Sequence, residues 1–279
     1  MKPAPFAYAR ATTLEAVFDT LERHGDSARI LAGGQSLMPT LNLRLSAPEL
    51  LLDINGIVAL RGIALNGEVI RVGALTRHAE LGTDPLVARH LPLLAQAVPH
   101  IAHPAIRNRG TIGGSLALAD PAAELPACAL ALDATIVAIG RGGERRIPAR
   151  ALCVGVYTTA LAANEIVAAV EFPAPVAGHR ACILELARRP GDYAIVGLAA
   201  TARREGAALH DPRLAWFGVA ATSLRTPAAE AALAAGDVPA AQAALDDELD
   251  PPEDLHGPPS LRRHLARVLL GRAVARLMS

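Results

Sequence analysis

Apolar residues recur at Leu14, Val17, Phe18 and Leu21, intervals of three and four that predict an amphipathic helix, and the pattern stops at His24-Gly25. Thr12 and Glu15 stand at capping-box spacing at its start. The short run "SARILA" predicts a strand that enters Gly33-Gly34, after which Ser36 is placed to cap the helical segment "LMPTLNLRL". "LLDI" predicts another strand, and "GIALNGEVIRVGA" a hairpin about Asn66-Gly67, a dipeptide suited to a type I′ turn. Helical spacing returns in "TRHAEL" and "PLVARHLPLLAQAV", and "PACALALDA" leads into a second hairpin, "TIVAIGRGGERRIPA".

"NEIVAAVEFPAPVAG" ends a strand in a Pro/Gly stretch, which marks a candidate boundary. Beyond it, "ACILELA", "AIVGLAATARRE" and "LAWFGVAAT" predict successive strands of one sheet, followed by Ala-rich helices. The polar "DDELDPPEDLHGPPS" predicts an exposed loop. "LRRHLARVLLGRAVARLM" predicts an amphipathic closing helix with Leu261, Leu265, Val268 and Leu269 on its apolar face. Strands and helices alternate without the long period of a βαβ barrel, which favours an α+β fold over a doubly wound one.

A chain of 279 residues is long enough for two domains and a substantial core. Its 27 basic and 27 acidic residues cancel and aromatics are 3 %, which leaves neither an electrostatic footprint for nucleic acid nor a stacking platform. No apolar run reaches the length of a membrane span and the first residues lack the apolar stretch of a secretory signal, so the expected location is the cytoplasm. Cys128, Cys153 and Cys182 stand singly in apolar settings, without the paired spacing of zinc or iron–sulfur ligands, and read as buried thiols.

Two passages carry the candidate chemistry. "RILAGGQSLMPTL" and "IRNRGTIGGSLALADPAAELP" each set adjacent glycines between an apolar run and a helical segment, with a hydroxyl residue close behind. Glycine tolerates positive φ and has no Cβ, so backbone N–H groups can converge on an anion. Gln35, Ser36, Thr111 and Ser115 add side-chain donors, and two such loops facing one another would clasp a diphosphate. Either loop alone is better read as an ordinary turn, and only the two together shift the balance toward an anion site. Neither is a Walker A loop or a three-glycine dinucleotide fingerprint. Asp120 and Glu124, at i and i+4 of an expected helix start, suit acceptance of ribose or ribityl hydroxyls better than acid–base work.

With "RRPGDYA", these motifs resemble the FAD-binding (medium) subunits of the xanthine dehydrogenase and carbon monoxide dehydrogenase family of molybdenum hydroxylases, and the likeness runs from "PFAYARATTLEAV" to "RRHLARVLLGRAVA". The resemblance implies a PCMH-type FAD-binding domain over 1–175, with subdomains of about 1–56 and 57–175, and a smaller C-terminal sheet-plus-helices domain over 176–279. It implies that Ala32, Gly33, Gly34, Gln35 and Ser36 form one FAD diphosphate loop and Thr111, Ile112, Gly113, Gly114 and Ser115 the other. Glu124 matches an acidic position that meets the ribityl or ribose region, and Tyr193 an aromatic position beside the isoalloxazine ring. Glu185 departs from relatives that carry Lys there, so their flavin potentials do not transfer.

The function implied is an FAD-dependent oxidoreductase subunit: it collects electrons from the [2Fe–2S] clusters of a small partner chain and passes them to an external acceptor. A large molybdenum-pterin subunit would oxidise the substrate, in a dimer of heterotrimers. Arg107 and Arg109 are placed either to reach phosphate or to form ordinary surface pairs. A free-standing flavin oxidoreductase and a binding or assembly module without flavin turnover are the competing readings.

Overall fold

In the computed structural model, which describes residues 2–279, a short strand β1 (Ala7–Arg10) precedes the first helix, α1 (Leu14–His24). The helix buries Val17, Phe18 and Leu21 and ends at Gly25, whose φ is 51°. Its cap is Thr13, whose hydroxyl accepts from the Ala16 amide, not Thr12; Glu15 then lies in the first turn, where its charge suits the helix dipole. β2 (Ala28–Leu31), α2 (Leu37–Asn42) and β3 (Leu50–Asp53) follow, and the strands form a parallel sheet in the order β1-β3-β2. Ser36 does not cap α2 with its side chain, because its own backbone is already helical (φ −101°, ψ −40°). α2 stops at Asn42, short of the expected Leu45, and Arg44 turns the chain with φ 57°.

The next unit is an antiparallel sheet with helices on one face. β4 (Ile63–Asn66) and β5 (Val69–Gly73) form the first hairpin, but its loop is Gly67-Glu68 and only Gly67 has positive φ, whereas a type I′ turn needs two such residues. α3 (His78–Thr83), α4 (Pro85–His90) and α5 (Pro92–Ala97) come next; Pro92, unable to donate and hostile to a helical residue before it, splits the single helix expected there at Leu91. α6 (Pro104–Arg107), α7 (Ile112–Leu118) and α8 (Glu124–Ala131) lead into the hairpin β6 (Thr135–Gly140) and β7 (Gly143–Pro148). β8 (Cys153–Gly155) and β9 (Thr158–Thr159) make a small ribbon, and β10 (Ile166–Pro173) returns to complete the order β4-β5-β10-β6-β7.

The last sheet is antiparallel, β11 (His179–Leu186), β12 (Val196–Glu205), β13 (Ala208–Phe217) and β14 (Leu224–Arg225), followed by α9 (Pro227–Ala234), α10 (Val238–Glu248) and α11 (Pro259–Met278). Period-two alternation gives this sheet two apolar faces. Ile183, Ala199, Ala215 and Phe217 join the core around α8, while Leu184, Leu198, Leu214 and Trp216 pack with α9, α10 and α11. α8 is buried from Leu125 to Ala131 and lies between the two sheets. Asp246, Asp247 and Glu248 belong to α10 instead of the expected loop. α11 buries a face shifted from the one expected: Leu269 is buried and Leu265 packs against the core as expected, but Arg262, Ala266, Leu270, Ala273 and Leu277 complete the inward face and Leu261 is exposed. Among the described residues no helix is long and apolar enough to cross a membrane.

Candidate functional site

The strand β2 delivers the chain to Gly33-Gly34, and the turn before α7 delivers it to Gly113-Gly114; the two loops meet. A Cβ on Gly33 would lie 2.5 Å from the Arg109 carbonyl oxygen and 2.8 Å from the Gly110 Cα, so only glycine permits the crossing. On the other side, a Cβ on Gly113 would lie 2.5 Å from the Ala74 Cβ. A cleft of about 750 Å³ opens along the junction, within the size range of small-molecule and cofactor sites. Ala32, Gly33, Gly34, Gln35, Ser36, Thr111, Gly113, Gly114, Ser115, Glu124 and Tyr193 all line it. Ile112 does not: it is a core residue, 1 % exposed.

The loops differ in what they offer. Gly34 has φ 72°, and the amides of Gly33, Gly34, Gln35 and Ser36 have no acceptor among the described residues, the arrangement of a backbone anion nest. The Gln35 side chain closes the turn by donating to the Gly33 carbonyl at 2.8 Å. In the second loop the amides are already used: Ile112 donates to Thr76 O, Gly113 to Ala74 O, Gly114 to Thr111 Oγ1 and Ser115 to Thr111 O. The expectation of two equivalent nests is therefore corrected. The second loop brings a glycine surface and the hydroxyls of Thr111 and Ser115, not a row of free backbone donors.

A brace missed by the sequence reading holds the crossing together. Asn55 Nδ2 donates to the Ala32 carbonyl at 2.7 Å, Arg77 Nη2 donates to Asn55 Oδ1 at 2.6 Å, and Arg77 Nη1 donates to the Arg109 carbonyl. Neither residue lies in a glycine motif, so no local signal marks them. His78, beside Arg77, is 7 % exposed, lines the cleft and has no hydrogen-bond partner for either ring nitrogen among the described residues; burial pulls its pKa down to about 4, which keeps the ring neutral. Arg107 is occupied with the carbonyls of Ile101 and Ala102, both at 2.9 Å, and so serves the turn instead of an anion.

Another group of lining residues is acidic and aromatic. Asp120, 7 % exposed, ends the turn after α7, while Glu124 opens α8, so the two do not share one helix as expected. Tyr157 donates to Asp120 Oδ2 at 3.5 Å, and Tyr193 stands near enough for the same carboxylate to raise its pKa as burial does. Tyr193 is 65 % exposed, which excludes a core role. Burial, with the Asp120 charge adding to it, pushes Glu124 up to about 7. Buried Cys128 and Cys182 are held protonated by desolvation, and Cys153 is half-buried, contrary to the expectation of three buried thiols.

The model described as "FAD binding domain in molybdopterin dehydrogenase" matches residues 4–175, and "CO dehydrogenase flavoprotein C-terminal domain" matches residues 182–277. The 6-hydroxypseudooxynicotine dehydrogenase complex subunit alpha of Paenarthrobacter nicotinovorans is 41 % identical over 285 residues, covering 100 % of this chain and 96 % of the relative. The carbon monoxide dehydrogenase medium chain of Hydrogenophaga pseudoflava is 37 % identical, covering 98 % and 97 %. Carbon monoxide dehydrogenase from Hydrogenophaga pseudoflava, in a solved structure, superposes with a TM-score of 0.97 at 38 % identity, covering 99 % of this chain and 98 % of that one. Quinoline 2-oxidoreductase from Pseudomonas putida 86 gives a TM-score of 0.94 at 35 % identity, covering 100 % and 98 %.

Proposed function

The chain belongs to the FAD-binding medium subunits of the molybdenum hydroxylases, and from that premise we propose that it carries electrons from a small iron–sulfur partner to an external acceptor. It is an oxidoreductase subunit, and FAD is its cofactor. The residues present fit that group: the unpartnered amides of Gly33 to Ser36 sit beside glycine surfaces that a Cβ would fill. FAD, when bound, supplies a carrier that accepts electrons and releases them to a second partner.

In this reading the amides of the first loop hold the diphosphate, and Ala32 keeps its place through the Asn55 and Arg77 brace. Thr111 and Ser115 add hydroxyls, the glycine pair of the second loop allows close approach, and Ile112 anchors α7 in the core. Glu124 meets the ribityl or ribose hydroxyls, and Tyr193 covers the isoalloxazine region. FAD binding is assigned to 1–175, divided near residue 56, and 176–279 is the C-terminal domain of the subunit. The companions are a large molybdenum-pterin subunit, where substrate is oxidised, and a small subunit with [2Fe–2S] clusters, assembled as a dimer of heterotrimers in the cytoplasm.

The observation that carries the reading is the set of unpaired amides at Gly33 to Ser36 facing a second glycine loop across one cleft. The test is to purify the chain with its companions, record the absorption spectrum and identify the released cofactors by mass. The expected result is FAD on this chain with iron–sulfur absorbance from another. A chain that copurifies alone and turns over a small molecule by itself would overturn the electron-transfer role.

A further inference from the structure

The ribbon of β8 and β9 stands at the acidic and aromatic end of the cleft, and the FAD reading gives it no task. Gly155 pairs with Thr158, so Val156 and Tyr157 form the turn between the two strands. Tyr157 has φ 51°, in the left-handed region that favours glycine, and a bulky aromatic residue there is a backbone outlier. Packing within the chain returns little against that strain, because Tyr157 is 58 % exposed.

The turn is nevertheless fixed in place. The Ala160 amide donates to the Leu152 carbonyl at 2.8 Å, and the Thr158 hydroxyl donates to the Val156 carbonyl at 3.0 Å. Leu161, just beyond β9, packs against the core around α8. Tyr157 and Leu161 line the cleft together with Asp120, Glu124 and Tyr193. Asp120 Oδ1 accepts from the Ala122 amide at 2.9 Å, which leaves Oδ2 to the Tyr157 hydroxyl at 3.5 Å, a long contact. Burial first, then the Asp120 charge, then Tyr193 raise the Tyr157 pKa, so the phenol is a neutral donor. Two tyrosines from separate segments thus line the same end of the cleft, and each is more than half exposed.

We propose that Tyr157 is a wall of the flavin end of the cleft: the strained turn offers its ring to the bound isoalloxazine, and its hydroxyl keeps the ring beside Asp120. The proposal rests on the FAD reading above. An exposed aromatic ring gains most when a second ring system packs against it, so the contact that offsets the strained backbone forms on binding. The diphosphate is held elsewhere, by the amides of Gly33 to Ser36, so Tyr157 acts on the flavin portion of the cofactor and not on its ADP portion. The ring carries the effect, because a hydroxyl contact of 3.5 Å contributes little.

The test titrates the flavin-free full chain with FAD and, separately, with ADP, in the wild type, Tyr157→Gly, Tyr157→Asn and Tyr157→Phe. Glycine and asparagine both accept the left-handed backbone, so the two ringless variants should melt within about 2 °C of the wild type. Both should lose at least about tenfold in FAD affinity while ADP binds within about twofold of the wild type, and Tyr157→Phe should restore FAD binding. FAD bound by the ringless variants as by the wild type overturns the proposal. So does an equal loss for ADP, which would make Tyr157 a general support of the cleft, or a Tyr157→Phe as weak as Tyr157→Gly. A wild-type chain that binds neither FAD nor ADP is the separate failure of the cofactor reading, and the proposal falls with it.

Discussion

Gly33 shows how one missing carbon positions the site. In Gly33→Ala the added Cβ would press on the Arg109 carbonyl and the Gly110 Cα, so the loops must separate by a few tenths of an ångström or more. Overpacking of this kind costs about 1–3 kcal/mol, and FAD titration should read it as a loss of at least about tenfold in affinity. Gly142→Ala, where a Cβ meets nothing within 4 Å, should bind FAD as the wild type does. Glu124 and Glu185 make a second residue-scale prediction. Both bind their proton more tightly folded than unfolded, where the reference value is 4.5. The stability they contribute is therefore complete below about pH 4.5 and is lost as pH rises through about 7 and about 8. Melting of the flavin-free chain should fall across that window, at about 2–4 °C per kcal/mol, and Glu185→Gln should flatten the slope. Equal slopes in both proteins would contradict the assignment. Single residues were also where the sequence said least: the glycine pairs stood out, but Asn55, Arg77, His78 and Tyr157 act through contacts distant in sequence and follow no motif.

At the scale of elements, hydrophobic period identified most helices and strands, while their ends and faces depended on details it does not encode. The cap moved from Thr12 to Thr13, and Pro92 cut one helix in two. α11 is the clearest case, because Arg262 faces inward with 3 % exposure: Nη1 donates to the carbonyls of Ile195 and Gly218, and Nη2 to both carboxylate oxygens of Asp254. A polar residue that pays for its burial with four hydrogen bonds reads as an outward position on any hydropathy wheel, and the expected face is rotated for that reason. Leu269→Ala should cost about 2–5 kcal/mol and exposed Leu261→Ala less than about 1 kcal/mol by urea denaturation. Arg262→Ala, which orphans two backbone acceptors, should cost about 2–4 kcal/mol. The reverse order for the two leucines would contradict the packing of α11.

Across the whole molecule the three larger sheets are joined through shared cores: the first packs on β6 and β10, and the last contributes one face to the core around α8. The cleft lies where these layers meet, so its residues come from β2, α7, α8 and the 191–193 loop, segments far apart along the chain. The α+β class was legible in the order of strand and helix signals; the asymmetry of the two glycine loops was not, because the same Gly-Gly text leaves its amides free in one and bonded in the other. The central claim is that the free amides of Gly33 to Ser36 hold a diphosphate. It is tested most directly by titrating the flavin-free chain in parallel with FAD, FMN and ADP. The account predicts that FAD binds, that ADP competes with it, and that FMN, with a single phosphate, binds on the order of a hundredfold more weakly, a difference of about 2.8 kcal/mol. FMN binding as tightly as FAD, with ADP without effect, would contradict it.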